Sequence, residues 1–280
     1  MIAITKSQSA YERRSTDWLP CLDSIQDRII PYVAHFSGEY DALCPLDLKL
    51  RVLLHLPRFR PAELAMDNVI FGEIDRLARK MLATQGDFKE WTNHEPIANF
   101  TKSVAHVREI SGAIAAEYHR RFHYIGACRG GRHFALQFEG APVAAALVTI
   151  SEMDVEKIKI HLPFFEVQRT LLLSRMFAFR WAPRNTISYL LGQVARCLKR
   201  EGRTDSLVTW VNPNLGFHAS SYRAANWTYL GSEPIIYRYL DGNYVTARQL
   251  FDEAKNASPS VETSKFRLAP LQIWRYRIAN

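Results

Sequence analysis

Asn212, Tyr222, the His123-Tyr124 pair and the stretch Arg184-Asn185-Thr186-Ile187-Ser188 are the residues whose types and places could do chemistry in this chain. Asn212 ends an apolar run of strand length, on the open side of a sheet where ligands of α/β proteins collect. Its amide can orient a substrate but cannot take up a proton near neutral pH. Asn-Pro-Asn at 212–214 is equally ordinary turn chemistry. Tyr222 could handle a proton at a reacting centre within hydrogen-bond reach, or it could be a packed ring with a satisfied hydroxyl. Arg184, Asn185 and Ser188 open a helix, whose first amides and positive dipole end suit an anionic cofactor or a DNA phosphate. A solvated helix start would carry the same residues. Ser220 and Ser221 could bond a cofactor or simply cap a helix. His123 follows His119, Arg120 and Arg121 at a helix end, where a base complements the dipole, so a helix-end role and a site role are both open for it. Tyr124 could likewise line a site or simply pack. His123, Tyr124 and Tyr222 could converge on an ion, but one neutral histidine without a certain carboxylate is a poor divalent site, and no bound metal is expected.

All of these residues but His123 and Tyr124, which lie upstream, fall within Leu171–Tyr239, and the elements that must position them can be read there. Ile187, Leu190, Leu191, Val194 and Leu198 mark one face of a 3.6-residue period, with Pro183 before the helix and Gly202 after it. The apolar runs LLLSRMFAF and SLVTWV flank it as strands, and strand, helix, strand within about forty residues predicts a crossover between parallel neighbours. A further helix through GFHASSYRAANW and two more strands follow. Upstream, Arg132–Phe138 and Val143–Ile150 form a predicted hairpin, and Lys157–Leu162 alternates as a strand. Val104, Val107, Ile110, Ile114 and Tyr118 mark a helix over 104–122. Helical patterns at 18–36, interrupted by Pro31, at 46–56 and at 64–82 predict an N-terminal helical lobe.

That layout of strand, P-x-x-(R/N) loop, long helix, strand, Asn and Tyr-bearing helix resembles the GNAT superfamily of acyltransferases, and a coenzyme A thioester is the donor it implies. The loop here carries no glycine. The runs LSRMFAFRWAPRNTISYLLGQ and NPNLGFHASSYRAANWTYLG resemble more narrowly the Mom family of phage DNA-modification proteins. Pro213, Gly216, Tyr222, Arg223, Ala224, Asn226 and Trp227 keep the register of that family's pattern, and His123-Tyr124 corresponds to its upstream His-Tyr pair. Asn212 stands where the family has aspartate, and His218 is offset by one behind Phe217. The resemblance implies a GNAT-like fold and transfer of a small acyl or glycinamide-type group to N6 of adenine in DNA. It also implies Tyr222, Asn212, His123 and Tyr124 as the catalytic set, with Arg184, Asn185, Ser188, Ser220 and Ser221 around the cofactor. An amine hidden in a duplex requires the base to be flipped out, for which Trp181, Phe217, Trp227 and the C-terminal tail offer stacking rings.

Composition bounds the rest. The 280 residues carry 48% hydrophobic residues and a formal charge of +8, which favours encounter with polyanions without naming one. No run is long and apolar enough to span a membrane and no secretory pattern opens the chain, so a cytoplasmic protein is expected. The four cysteines lack CxxC spacing and are expected to be reduced. The expected fold is α/β (α+β), a mixed, mostly antiparallel sheet flanked by helices. The expected divisions are a helical lobe over 1–95, a GNAT-like domain over 96–250, and a linker with a basic, aromatic tail over 251–280. A short helix is expected at 246–255. The tail interleaves Lys265, Arg267, Arg275 and Arg277 with Phe266, Trp274 and Tyr276; it could grip nucleic acid or be a terminal strand packed on the body. DNA, a small-molecule donor and a homo-oligomer are the expected partners. The alternatives are an acyltransferase on a small amine or protein, and a non-catalytic DNA-binding protein of the same fold.

Overall fold

The computed structural model describes residues 22–40, 43–85, 89–92, 94–246, 249–250 and 260–278. Its main helices are α1 (Asp23–Glu39), α2 (Pro45–His55), α3 (Asp67–Gln85), α4 (Gly112–Phe122), α5 (Val155–Ile158), α6 (Phe164–Gln168), α7 (Thr186–Glu201) and α8 (Ser220–Ala224). The strands are β1 (Ala105–Ile110), β2 (Arg132–Phe138), β3 (Ala146–Ser151), β4 (Thr170–Ala178), β5 (Ser206–Val211), β6 (Thr228–Glu233), β7 (Arg238–Leu240), β8 (Asn243–Val245), β9 (Val261–Thr263) and β10 (Leu271–Arg277). Two compact units result, one from 1–80 with 234–270 and the other from 81–233 with 271–280.

The second unit is built on a seven-stranded sheet of order β1-β2-β3-β4-β5-β10-β6. Among the described strands β4 and β5 are the one parallel pair, and α7 is their crossover. This is the mixed, mostly antiparallel layout that the sequence implied. Helix α7 forms where expected because Leu190, Leu191, Val194 and Leu198 are buried along one face. Gly202, at φ 67°, ends it by donating its N–H to the Leu198 and Lys199 carbonyls. The opposite face of the sheet is covered by α5, α6 and the turn between them, where Ile158, Val167 and Leu162 pack on Val208 and Ile273.

Four expectations change. Residues 105–110 are the edge strand β1, paired along its length with β2, and the helix begins only at Gly112, after Ser111 has capped it by accepting from Ile114 N. Val107 and Ile110 fit both periods, and the pairing edge of β2 decides between them. Residues 157–162 fall in the end of α5 and a turn instead of a strand: Ile158 and Leu162 belong to the alternation Ile158, Ile160, Leu162 but are also spaced i, i+4. The second spacing wins, leaving Ile160 79% exposed. Pro31 does not interrupt α1, which runs through it because Leu22, Ile25, Ile29, Val33 and Phe36 are buried on one face. The helix through 216–227 shrinks to the five residues of α8, since Gly216, Ala219 and Asn226 all take left-handed backbone. Of the two forms expected for the basic, aromatic tail, the packed terminal strand is the one found: it is β10, inserted between β5 and β6 with Trp274 buried.

The first unit joins α1, α2 and most of α3 to the three-stranded sheet β8-β7-β9. The described strands β7, β8 and β9 thus fall in the same unit as the N-terminal helices. Asp241 and Gly242, both at positive φ, make the tight β7–β8 turn predicted at 241–243. Most of the helix expected at 246–255, the stretch 1–21 and most of the linker lie outside the described residues.

Candidate functional site

Strands β4 and β5 pair only at Thr170–Leu172 with Ser206–Val208. Beyond that point they part, and Thr209 bridges the opening by donating its hydroxyl to the Leu173 carbonyl at 3.0 Å. On the other side of β4 the register with β3 shifts between Thr149 and Ile150, which makes Ser174 an extra, bulged residue. Ser174 Oγ lies 2.9 Å from Ser151 Oγ and donates to Thr149 O at 3.2 Å. Parting strands on one side and a bulge on the other open a cleft of about 310 Å³ in the sheet.

Six of the nine residues singled out in the sequence line this cleft: His123, Tyr124, Asn212, Ser220, Ser221 and Tyr222. Tyr222 is 8% exposed and packs edge-on against Trp227 at 5.0 Å. Its hydroxyl lies 3.9 Å from Met176 Sδ, a weak acceptor. Burial pushes its pKa up to about 12, with the nearby Thr209 hydroxyl acting the other way. The phenol is therefore a proton donor at neutral pH and not a base. His123 is buried and ends α4; its Nδ1 accepts from Ile125 N at 3.2 Å, so the neutral ring carries its proton on Nε2. It stacks on Tyr124, with centroids 4.4 Å apart, and Tyr124 meets Phe217 at 5.8 Å.

Asn212 lines the cleft, but its Oδ1 accepts from Asn214 N at 3.1 Å and from Asn214 Nδ2 at 2.9 Å. The turn chemistry foreseen for Asn-Pro-Asn thus occupies its carbonyl. Ser220 and Ser221 are exposed at the start of α8 and neither caps it, because the N-cap is Ala219, held at φ 54°.

Arg184, Asn185 and Ser188 are not part of the cleft lining. Asn185 takes φ 70° at the N-cap of α7, the conformation that a glycine would otherwise supply. Ser188 Oγ donates to Asn185 O at 3.0 Å and Thr186 Oγ1 to Pro183 O at 2.7 Å, so both hydroxyls turn back onto the backbone. What this helix start can give an anionic cofactor is its first-turn amides and the exposed Arg184. For a coenzyme A pyrophosphate that is a fit by backbone and charge, without help from the hydroxyls.

Two stacking candidates are elsewhere. Trp181 is 2% exposed, stacked on Phe179 and donating Nε1–H to Trp91 O, and Trp227 is buried behind Tyr222. In β10, Arg275 and Arg277 both pair with Glu166. Sequence reasoning missed Ser174, Arg175, Met176 and Thr209, which line the cleft with the named residues. Arg175 is partly buried and is aimed by donating Nε–H to Ala127 O and Nη1–H to Ser174 O. The signal was present, since Ser174-Arg175 interrupts an otherwise apolar strand.

No helix among the described residues is long and apolar enough to cross a membrane. A search of curated proteins finds no match to the chain. Among solved structures it is similar to the ribosomal-protein-S18-alanine N-acetyltransferase from Escherichia coli, at 13% identity and TM-score 0.38 over 63% of this chain and 95% of that one. It is similar to the spermidine N-acetyltransferase from Vibrio cholerae, in complex with CoA and spermine, at 7% identity and TM-score 0.39 over 63% and 96%. An N-acetyltransferase from Staphylococcus aureus Mu50 gives 13%, 0.38, 62% and 98%. The family model described as the Mom protein family matches residues 104–278, more than half of the sequence and nearly all of the unit that holds the cleft, and the chain belongs to that family.

Proposed function

We propose that this chain is a transferase that attaches a small acyl or glycinamide-type group to N6 of adenine in DNA. The observation that carries the proposal is the cleft at the parting of β4 and β5, where Tyr222, His123 and Tyr124 meet in a chain of the Mom family. Its volume of about 310 Å³ lies at the lower end of small-molecule sites, suited to one flipped base with the end of a donor. Tyr124 and Phe217 offer ring faces to that base, and Arg175 supplies a positive charge beside it.

The donor is of the coenzyme A thioester class, with its phosphates at the first turn of α7 and Arg184. Bound there, such a thioester supplies an activated acyl carbon. As the bond from N6 to the acyl carbon forms and the carbon–sulfur bond breaks, Tyr222, protonated at neutral pH, gives its proton to the leaving thiolate, and the proton that N6 loses passes to solvent, from which the phenol is reprotonated. His123, protonated on Nε2, donates a hydrogen bond to substrate and does not remove a proton in that tautomer. Asn212 holds the turn that follows β5 and so keeps the wall of the cleft in place. The formal charge of +8 supports encounter with DNA.

A second reading keeps the cleft and changes the acceptor to a small amine or a protein. It is favoured by the burial of Trp181, Trp227 and Trp274, and by the pairing of Arg275 and Arg277 with Glu166, which leave fewer rings and charges for nucleic acid. Co-expression with a plasmid, digestion of the DNA to nucleosides and mass spectrometry distinguish the two. A modified adenosine that vanishes with Tyr222→Phe is expected. Unmodified DNA, together with acyl-CoA consumption on amine acceptors, would give the second reading. Salt-dependent DNA binding without any product would leave a binding protein of this fold.

A further inference from the structure

Beside the cleft, three side chains that play no part in the chemistry above bring metal-ligating atoms together. His119 on α4, Cys128 on the loop after α4 and His133 on β2 each offer one ligand atom, and these atoms lie within 4.8 Å of one another. Both histidines are buried, at 0% and 4% exposure, while Cys128 is only partly covered, which leaves a way in. Thr149 Oγ1 sits 2.8 Å from His119 Nε2 and 3.0 Å from His133 Nδ1. The hydroxyl has one proton, so it can donate to only one of the two rings and must accept an N–H from the other. Whichever way it is shared, His119 Nδ1 stays buried without a partner.

We infer that His119, Cys128 and His133 form a site for a divalent transition ion of the zinc type. Two imidazoles and a thiolate are borderline-soft donors, which select such an ion over magnesium or calcium. Bond lengths of about 2.0–2.1 Å to nitrogen and 2.3 Å to sulfur need ligand atoms roughly 3.3–3.7 Å apart. The three ligand atoms, within 4.8 Å of one another, draw in to that spacing on binding. Binding breaks the S–H bond of Cys128, forms the metal–sulfur bond and sends that proton to solvent.

The site ties three pieces of backbone together. The loop from His123 to Gly131 carries His123 and Tyr124 into the cleft, and at its far end a Cβ on Gly131 would lie 2.1 Å from Ile150 O, so the chain can enter β2 there only as glycine. An ion on Cys128 anchors the middle of that loop to α4 and to β2. A pair of neutral histidines bridged by Thr149, with no ion, is the alternative.

Cobalt(II) titration of the full chain, stripped of metal by chelator, tests this. One cobalt per chain is expected, with a thiolate charge-transfer band in the near ultraviolet, displaced by zinc. The band is lost in Cys128→Ser and kept in Cys197→Ser and Cys44→Ser. Zinc raises the melting temperature of the unsubstituted chain and not that of Cys128→Ser. His119→Gln is expected to lose the band as well; should it fail to fold, the exposed-side variant Cys128→Ser carries the test. Absence of the band at saturating cobalt, or its survival in Cys128→Ser, overturns the assignment.

Discussion

The helical unit and the cleft both bury polar groups, and they do opposite things with them. In the helical unit Glu73, 4% exposed, accepts from Arg58 Nη2 at 2.8 Å and from Arg76 at 2.6 and 2.9 Å. Burial works against its carboxylate, but the Arg76 hydrogen bonds and the Arg58 and Arg76 charges outweigh it and hold the pKa below the usual range. His55 spends both ring nitrogens, with Nδ1 donating to Arg51 O and Nε2 accepting from Tyr244 N, and burial lowers its pKa to about 4. Tyr239 gives its hydroxyl proton to Leu54 O. Each of these strong perturbations closes on a partner in the same unit. In the cleft, Tyr222 has only a thioether and a threonine near its hydroxyl, in front of a cavity. A shifted pKa therefore marks a functional candidate only where the shifted group faces open space.

The contrast can be broken by substitution. Glu73→Ala leaves Arg58 and Arg76 facing each other without a counter-charge, and should cost about 3–5 kcal/mol in stability by denaturant melts. Activity per folded molecule should be unchanged; a loss of activity with stability retained would mean that the cluster is no mere brace. Tyr222→Phe should do the reverse, lowering nucleoside modification about 100-fold with little change in melting, because the ring contact with Trp227 remains.

A finer test uses pH. The Tyr222 pKa is raised to about 12 in the folded chain, so its contribution to stability is whole below about pH 10 and is lost as pH climbs toward 12, since the unfolded chain ionises first. Between pH 9 and 11 the unsubstituted chain should lose about 1–2 kcal/mol more than Tyr222→Phe does. Equal losses in both would mean that the hydroxyl is as well solvated folded as unfolded. Smallest of all is Ser188→Ala, expected to change stability by no more than about 0.5 kcal/mol and to leave activity near its starting value. Its hydroxyl is turned onto Asn185 O, and a large activity loss would move the cofactor onto that side chain.

Elements with one dominant period were legible before any coordinates. Helix α7 and the strands on either side are fixed by apolar spacing and by Pro183 and Gly202, and they appear as expected. Elements whose residues satisfy two periods were not: 105–110 and 157–162 both changed class, one through pairing with β2 and the other through the i, i+4 burial of Ile158 and Leu162. The same holds for the site. Tyr222 and the His123-Tyr124 pair stood out by type and by resemblance. Arg175 and Thr209 did not, because only the parting of β4 from β5 gives them a cavity to face.

What the sequence determined by itself was the parallel crossover, its strand-helix-strand order and the list of polar residues near it, because local periodicity and turn residues act within a few positions of themselves. What only the tertiary structure decided was which of those residues share a space. The insertion of β10 between β5 and β6 and the recruitment of β7, β8 and β9 to the N-terminal helices join residues far apart in the chain, while His119, Cys128 and His133, near one another in sequence, converge only because a helix, a loop and a strand pack together. Such contacts depend on the matching of whole faces and edges, and no local pattern carries that information.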